Sequence, residues 1–235
     1  MEILKKFINW LYPYKCVSCD CVLETEAVWC SDCFMETIFI DQPICKLCGR
    51  MFETLYACDE MCNTCLEFPP SFDEARALFQ YNETSKNMVM KIKKNADNHV
   101  AKTFARMLFT RYPIVFKNAD LIVPVPSHWL KIMKRGYNPA AIIASEISKI
   151  SGIAYMNAMR DLKKTRQQKH KSIQERMENV AGAFICKKRL HDKNIILVDD
   201  VLTTGATLNE CSKALKGCGA KHVSCLTIAC TRIIQ

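Results

Sequence analysis

The fourteen residues from Asn194 to Thr207 constrain this chain more than any other stretch. The apolar run Ile195-Ile196-Leu197-Val198 has no polar interruption, which suits a parallel strand covered on both faces. The small residues Thr203, Thr204, Gly205, Ala206 and Thr207 follow it. Such a stretch lets backbone N–H groups converge on an anion where the next helix begins. Between strand and loop, Asp199 and Asp200 set two carboxylates at the mouth of the strand, facing the polar, non-phosphate end of whatever the loop holds. A Walker-type phosphate loop is the poorer match, because its Gly-Lys-Ser/Thr is missing.

From Ile195 to Thr207 the run resembles the signature of type I phosphoribosyltransferases. That resemblance implies that Asp199 and Asp200 are the catalytic pair, holding the two ribose hydroxyls of phosphoribosyl pyrophosphate (PRPP). Thr203, Thr204, Gly205, Ala206 and Thr207 would hold its 5′-phosphate.

The chain has 235 residues, room for one sizeable α/β domain and a small appendage. Its 15 cysteines are unevenly spread, with ten from Cys16 to Cys65 and five from Cys186 to Cys230. Charge divides at the same place: residues 1–68 carry a net −6 and the remainder +15. These shifts predict a boundary between an N-terminal domain, 1–68, and a larger domain, 69–235. No segment is apolar enough to span a bilayer, and Met1 to Tyr14 lacks a small-residue cleavage site. The expectation is a cytoplasmic protein without an integral membrane segment.

Four pairs in the acidic head share Cys-x-x-Cys spacing: Cys16/Cys19, Cys30/Cys33, Cys45/Cys48 and Cys62/Cys65. Each pair forms a knuckle, and two knuckles complete a tetrahedral four-thiolate site. Two structural zinc ions follow, most simply with 16/19 joined to 30/33 and 45/48 to 62/65, leaving Cys21 and Cys58 spare. An iron–sulfur cluster is a rival; disulfides fit poorly with a reducing cytoplasm. Some sixty residues with few apolar runs cannot easily fold on their own core, so metal binding is expected to supply folding free energy. The acidic balance argues against phosphate contact and points to a protein partner or a scaffold. The aromatic leader, with Phe7, Trp10, Tyr12 and Tyr14, is read as packing on the ribbons in preference to lying on a membrane.

In the basic body, periodicity predicts a strand from Ala75 to Tyr81 and helices from Ser85 to Asn95 and Val100 to Arg111. Asp120 to Pro126 reads as a strand ending in prolines. Next come Ser127-His128 and the cationic connection Lys131 to Asn138, then a helix from Pro139 to Ser151. Lys134 and Arg135 near a strand end suit pyrophosphate. From Arg160 to Arg176 the net charge is +5, and this segment, with Lys163, Lys164, Thr165 and Gln168, reads as a flap closing over a polyanion. A helix from Leu208 to Cys218 and a strand from His222 to Cys230 close the pattern. The five body cysteines sit at mostly apolar positions and read as small buried side chains.

Taken together the chain resembles the ComF family, competence-associated phosphoribosyltransferase-like proteins with an N-terminal double zinc ribbon. Besides the knuckles and the PRPP loop, the resemblance rests on Pro69-Pro70-Ser71-Phe72-Asp73, Val123-Pro124-Val125-Pro126, Arg135-Gly136-Tyr137-Asn138, Thr165-x-x-Gln168 and Arg176-x-x-Asn179-Val180-x-Gly182-Ala183-Phe184. Pro139 and Arg166-Gln167 depart from the family pattern. The family implies an α/β fold, a type I phosphoribosyltransferase-like, mostly parallel sheet flanked by helices and preceded by a small zinc-ribbon domain. It also implies a Mg²⁺-dependent pentosyl transfer from PRPP to an unidentified acceptor, and a part in natural transformation. Partners it brings into view are single-stranded DNA and a competence protein such as a DNA-uptake helicase, met at the cytoplasmic side of the inner membrane. Two rival readings share the same pocket: a non-catalytic PRPP-sensing or partner-binding module, and a phosphoribosyltransferase of nucleotide metabolism.

Overall fold

The computed structural model describes residues 13–25, 27–52, 60–96, 98–162 and 180–232. The leader to Tyr12, Cys58 and the flap residues Lys163, Lys164, Thr165 and Gln168 lie outside them.

A parallel sheet with strand order β1-β8-β6-β2-β3 organises the body. Its strands are β1 (Glu74–Gln80), β2 (Leu121–Pro124), β3 (Ala154–Tyr155), β6 (Asn194–Val198) and β8 (His222–Cys230), with β7 (Val201–Leu202) also pairing β8. The central strand β6 buries side chains in two directions, as its unbroken apolar run requires. Ile196 and Val198 enter one core, and Ile195 and Leu197 enter the other.

The first core is closed by α3 (Glu83–Asn95), α4 (Asn98–Arg111) and α7 (Pro139–Ser151), through Met88, Ile92, Phe104, Leu108, Ile143 and Ile147. Helix α3 starts on a capping box, where Asn82 and Ser85 exchange side-chain and backbone bonds. The second core is closed by α8 (Ala206–Gly217), through Leu208, Cys211 and Leu215. Of the body cysteines, Cys211, Cys225 and Cys230 are buried as expected, while Cys186 and Cys218 are half-buried.

Several elements are absent from the sequence reading. Helix α5 (Pro113–Lys117) follows α4, and α6 (Trp129–Arg135) occupies the stretch read as a plain connection. Helix α6 buries none of its residues, and its apolar side chains Trp129, Leu130, Ile132 and Met133 stay exposed over only seven residues, too short a run for periodicity to stand out. Strands β4 (Met159–Asp161) and β5 (Phe184–Cys186) form a small antiparallel pair at the base of the flap segment.

The head carries two short helices, α1 (Ser31–Glu36) and α2 (Asn63–Glu67), each starting inside the second knuckle of its ribbon, at Cys30 and Cys62. It lies along the outer edge of β1. Ile40 N–H donates to the Leu78 carbonyl at 2.9 Å, Gln80 N–H to Ile38 at 2.8 Å, and Ala75 N–H to Leu47 at 2.6 Å. Rings continue the junction inward: Trp29 meets Phe39 at 5.9 Å, Phe39 meets Phe79 at 5.3 Å, and Phe79 meets Phe104 at 5.6 Å between centroids. Each such edge-to-face pair adds about 0.5–1.5 kcal/mol beyond burial. Gly49 sits where head and body meet. Its φ is +67°, and a Cβ there would collide with the Ala75 carbonyl oxygen.

Candidate functional site

At the carboxyl ends of β2 and β6 lies a cleft of about 680 Å³. Crevices outside the carboxyl ends of parallel strands are where open α/β sheets bind ligands. Its lining brings together Asp199, Asp200, Thr203 and Thr207 with Lys134 and Arg135, residues from two distant parts of the sequence. The other loop residues face differently. Thr204 and Gly205 line a smaller cavity on the side of the second ribbon, and Ala206 is buried at the start of α8.

Gly205 shapes the loop. It caps α8 with φ +85°, a left-handed conformation that an L side chain adopts only at a cost. Thr203 and Thr204 precede it, and the first turn of α8 follows, so the N–H groups of a helix start border the cleft, that of Ala206 donating to Thr204 Oγ1 at 3.4 Å.

The two aspartates join β6 to β7, both of which pair β8. Asp199 N–H donates to the Leu226 carbonyl at 3.0 Å, and Asp199 Oδ1 accepts from Asp200 N–H at 2.8 Å. Desolvation, followed by the charge of Asp200, pushes the Asp199 carboxyl up to about 7. Asp200 is paired instead: Lys93 Nζ stands 3.0 Å from its Oδ2.

Lys93 is a site residue that the sequence reading missed. It projects from α3, and both it and Tyr81 line the cleft. Helix α3 ends at Ala96, whose N–H donates to the Tyr137 hydroxyl at 2.8 Å. Tyr137 thereby ties the end of this helix to the turn after α6. The neighbouring Asn138 caps α7 and donates to the Val125 carbonyl at 2.9 Å, holding the proline-rich end of β2. Asp161 from β4 and Phe184 from β5 complete the lining, so the roots of the flap segment open onto the cleft.

The head contains two four-thiol clusters, Cys16/Cys19/Cys30/Cys33 and Cys45/Cys48/Cys62/Cys65, each with all four sulfurs within 4.8 Å of one another. The knuckles pair consecutively. Cys19 and Cys30 sulfurs are 3.7 Å apart, as are those of Cys48 and Cys62. Tetrahedral zinc with Zn–S of about 2.3 Å separates its sulfurs by about 3.8 Å, whereas a disulfide needs about 2.05 Å. Backbone N–H groups of Ser18, Cys33 and Cys62 point at ligand sulfurs. In the second cluster, hydrogen bonds from Cys48, Cys62 and Cys65 pull Cys45 far below the ordinary thiol range. Cys65, beside Cys45, Cys48 and Cys62, is driven far above it. Four adjoining thiols that cannot all ionise together are a set that a divalent cation completes. Two Cys₄ zinc-binding sites therefore fit the head. The spare Cys21 is exposed, and contact with the Cys19 thiol pushes it up to about 12.

A parallel sheet with a strand-borne acidic pair and a phosphate loop, headed by paired four-cysteine ribbons, defines a phosphoribosyltransferase-like protein with a double zinc ribbon. Residues 7–66 match the double zinc ribbon domain, and residues 118–232 the phosphoribosyl transferase domain. Competence protein F of Haemophilus influenzae is 28% identical over 222 residues, covering 90% of this chain and 95% of that protein. Competence protein ComFC of Streptococcus pneumoniae is 24% identical, covering 91% and 99%. The DNA utilization protein YhgH of Escherichia coli K12 is 25% identical, covering 84% and 88%. The chain belongs to the ComF family. No helix among the described residues is long and apolar enough to cross a membrane.

Proposed function

We propose that this protein binds PRPP with Mg²⁺ in the cleft and supports natural transformation, handling single-stranded DNA at the cytoplasmic side of the inner membrane. The observation that carries the reading is the meeting of Asp199, Asp200, Thr203 and Thr207 with Lys134 and Arg135 around one cavity. Diol-binding carboxylates, a phosphate loop and cations for a pyrophosphate are the three parts that PRPP requires. The names of the relatives, competence and DNA utilization proteins, supply the cellular setting.

In this reading Asp199 and Asp200 orient the ribose hydroxyls and face the positive charge that develops on the ring as the anomeric bond breaks. Thr203 to Thr207 grip the 5′-phosphate, and Arg135 and Lys134 hold the leaving pyrophosphate. Mg²⁺, when bound, supplies neutralisation of pyrophosphate charge. Lys163, Lys164, Thr165 and Gln168 belong to the segment that closes over the ligand. Residues 1–68 form the metal-bearing unit and residues 69–235 the ligand-binding unit. A competence protein such as a DNA-uptake helicase is the partner proposed for the ribbons.

Calorimetric titration of PRPP with and without Mg²⁺ tests the pocket, with an Asp199→Asn/Asp200→Asn variant of verified fold as the control. Binding lost in the variant supports the pocket, and zinc-loaded wild type that binds no PRPP overturns it. Pyrophosphate release across a panel of bases and single-stranded DNA then separates a transferase from a sensor.

A further inference from the structure

The second ribbon reaches the phosphate loop through one side chain. Arg50 follows the second knuckle residue Cys48 and is only 5% exposed. Its Nη2 donates to the Thr203 carbonyl, and its Nε donates to the Thr231 carbonyl at 3.1 Å. Thr231 Oγ1 donates to the same Thr203 carbonyl at 3.1 Å. Cys48, Cys65 and Arg50 share one small cavity with Thr204 and Gly205 of the loop. Phe68, Pro70 and Phe72 line the cavity on the linker side, where the Ser71 N–H donates to Asn209 Oδ1 on α8 at 2.7 Å.

This arrangement acts on the loop in two ways. A trans peptide is planar, with its C=O and N–H opposed. Anchoring the Thr203 carbonyl toward the ribbon therefore aims the Thr204 N–H away from it, and a cation on that carbonyl polarises the N–H into a better donor. A buried guanidinium also requires a counter-charge. A zinc ion held by four thiolates would carry a net charge of about −2, and two of those thiolates, Cys48 and Cys65, line the same cavity as Arg50.

We propose that Arg50 is a positioning residue through which zinc held by Cys45, Cys48, Cys62 and Cys65 sets the shape of the phosphate loop, so that zinc at this site and PRPP in the cleft are thermodynamically linked. The inference rests on the PRPP reading above. Linkage is reciprocal: if zinc raises PRPP affinity, PRPP raises zinc retention by the same factor.

Arg50→Met, made in the full chain, removes the donors and charge while keeping the buried stem. The expected variant holds two zinc ions per chain, binds Mg·PRPP and ribose 5-phosphate about tenfold more weakly, and binds Mg·pyrophosphate within about twofold of wild type. A purely structural role would lower all three affinities together. A zinc-loaded variant that binds ribose 5-phosphate as tightly as wild type overturns the inference. Should Arg50→Met fail to retain zinc, chelator competition on the wild type decides. PRPP is expected to raise retention of one of the two zinc ions about fivefold or more, and equal retention with and without PRPP refutes the linkage. Wild type that binds no PRPP at all overturns the functional reading itself, and this linkage with it.

Discussion

Replacing Asp199 by Asn is expected to stabilise the ligand-free protein, as often follows when a group kept in an unfavourable setting for function is neutralised. The side chain is half-buried, and desolvation together with the charge of Asp200 raises its carboxyl from an ordinary 3.8 to about 7. Asn keeps the Oδ1 that accepts from Asp200 N–H at 2.8 Å, so the local hydrogen bond survives. Each tenfold change in proton affinity is worth about 1.4 kcal/mol, which caps the cost of ionised Asp199 at about 4 kcal/mol. Partial exposure reduces this through solvent screening to about 1–2 kcal/mol. The sign follows from linkage. The folded protein binds the Asp199 proton more tightly than the unfolded chain, so the wild type loses stability as pH rises from about 4 to about 7 and is level above. The Asn variant has no such loss. Thermal unfolding without Mg²⁺ or PRPP should place the variant about 3–6 °C above wild type at pH 8, with the gap about half as wide at pH 5.5. A variant less stable than wild type at pH 8, or a gap that does not change with pH, would refute the reasoning.

Lys93→Met removes the cation paired with Asp200 and should weaken Mg·PRPP binding about tenfold in calorimetry; an unchanged Kd would take Lys93 out of the site. Gly205→Ala imposes a left-handed alanine at the start of α8 and should cost about 1 kcal/mol by chemical denaturation. The same change should weaken ribose 5-phosphate binding, and retention of both stability and affinity would contradict the geometry given for the loop. Phe39→Ala breaks the chain of rings between head and sheet, and a destabilisation of about 2 kcal/mol is expected. A melting temperature equal to wild type would show that Phe39 contributes no packing.

What could be read from the chain depended on how locally each signal is encoded. The acidic pair, the Thr-Thr-Gly-Ala-Thr loop and the strand before them form one continuous run, so this strand–loop–helix corner was visible without a fold. The consecutive pairing of knuckles was legible too, because each Cys-x-x-Cys is a self-contained turn. Lys93 was not. It is one of four lysines, with Lys86, Lys91 and Lys94, on a helix more than a hundred residues from Asp200, and packing alone selects it. Lys91 turns the other way, to Asp20 at 2.6 Å and to the Cys16 carbonyl at 2.7 Å in the first ribbon. Arg50 was hidden for the same reason: nothing in its neighbours announces contact with a carbonyl 153 positions away. Helix α6 is too short for its apolar residues to stand out as a period, and three-residue strands such as β4 and β5 are too short for alternation to register.

The hydrogen bonds that the head makes along β1 have a consequence for anyone dividing this protein. A terminal strand with free N–H and C=O groups is a template for another chain, and here residues 38–40 and Leu47 occupy that template. A fragment beginning at residue 69 would carry the lining of the cleft intact on paper, yet would present a bare strand edge and an uncovered Phe79 to solvent. Such a fragment should be recovered as self-associated material, not as a minimal domain.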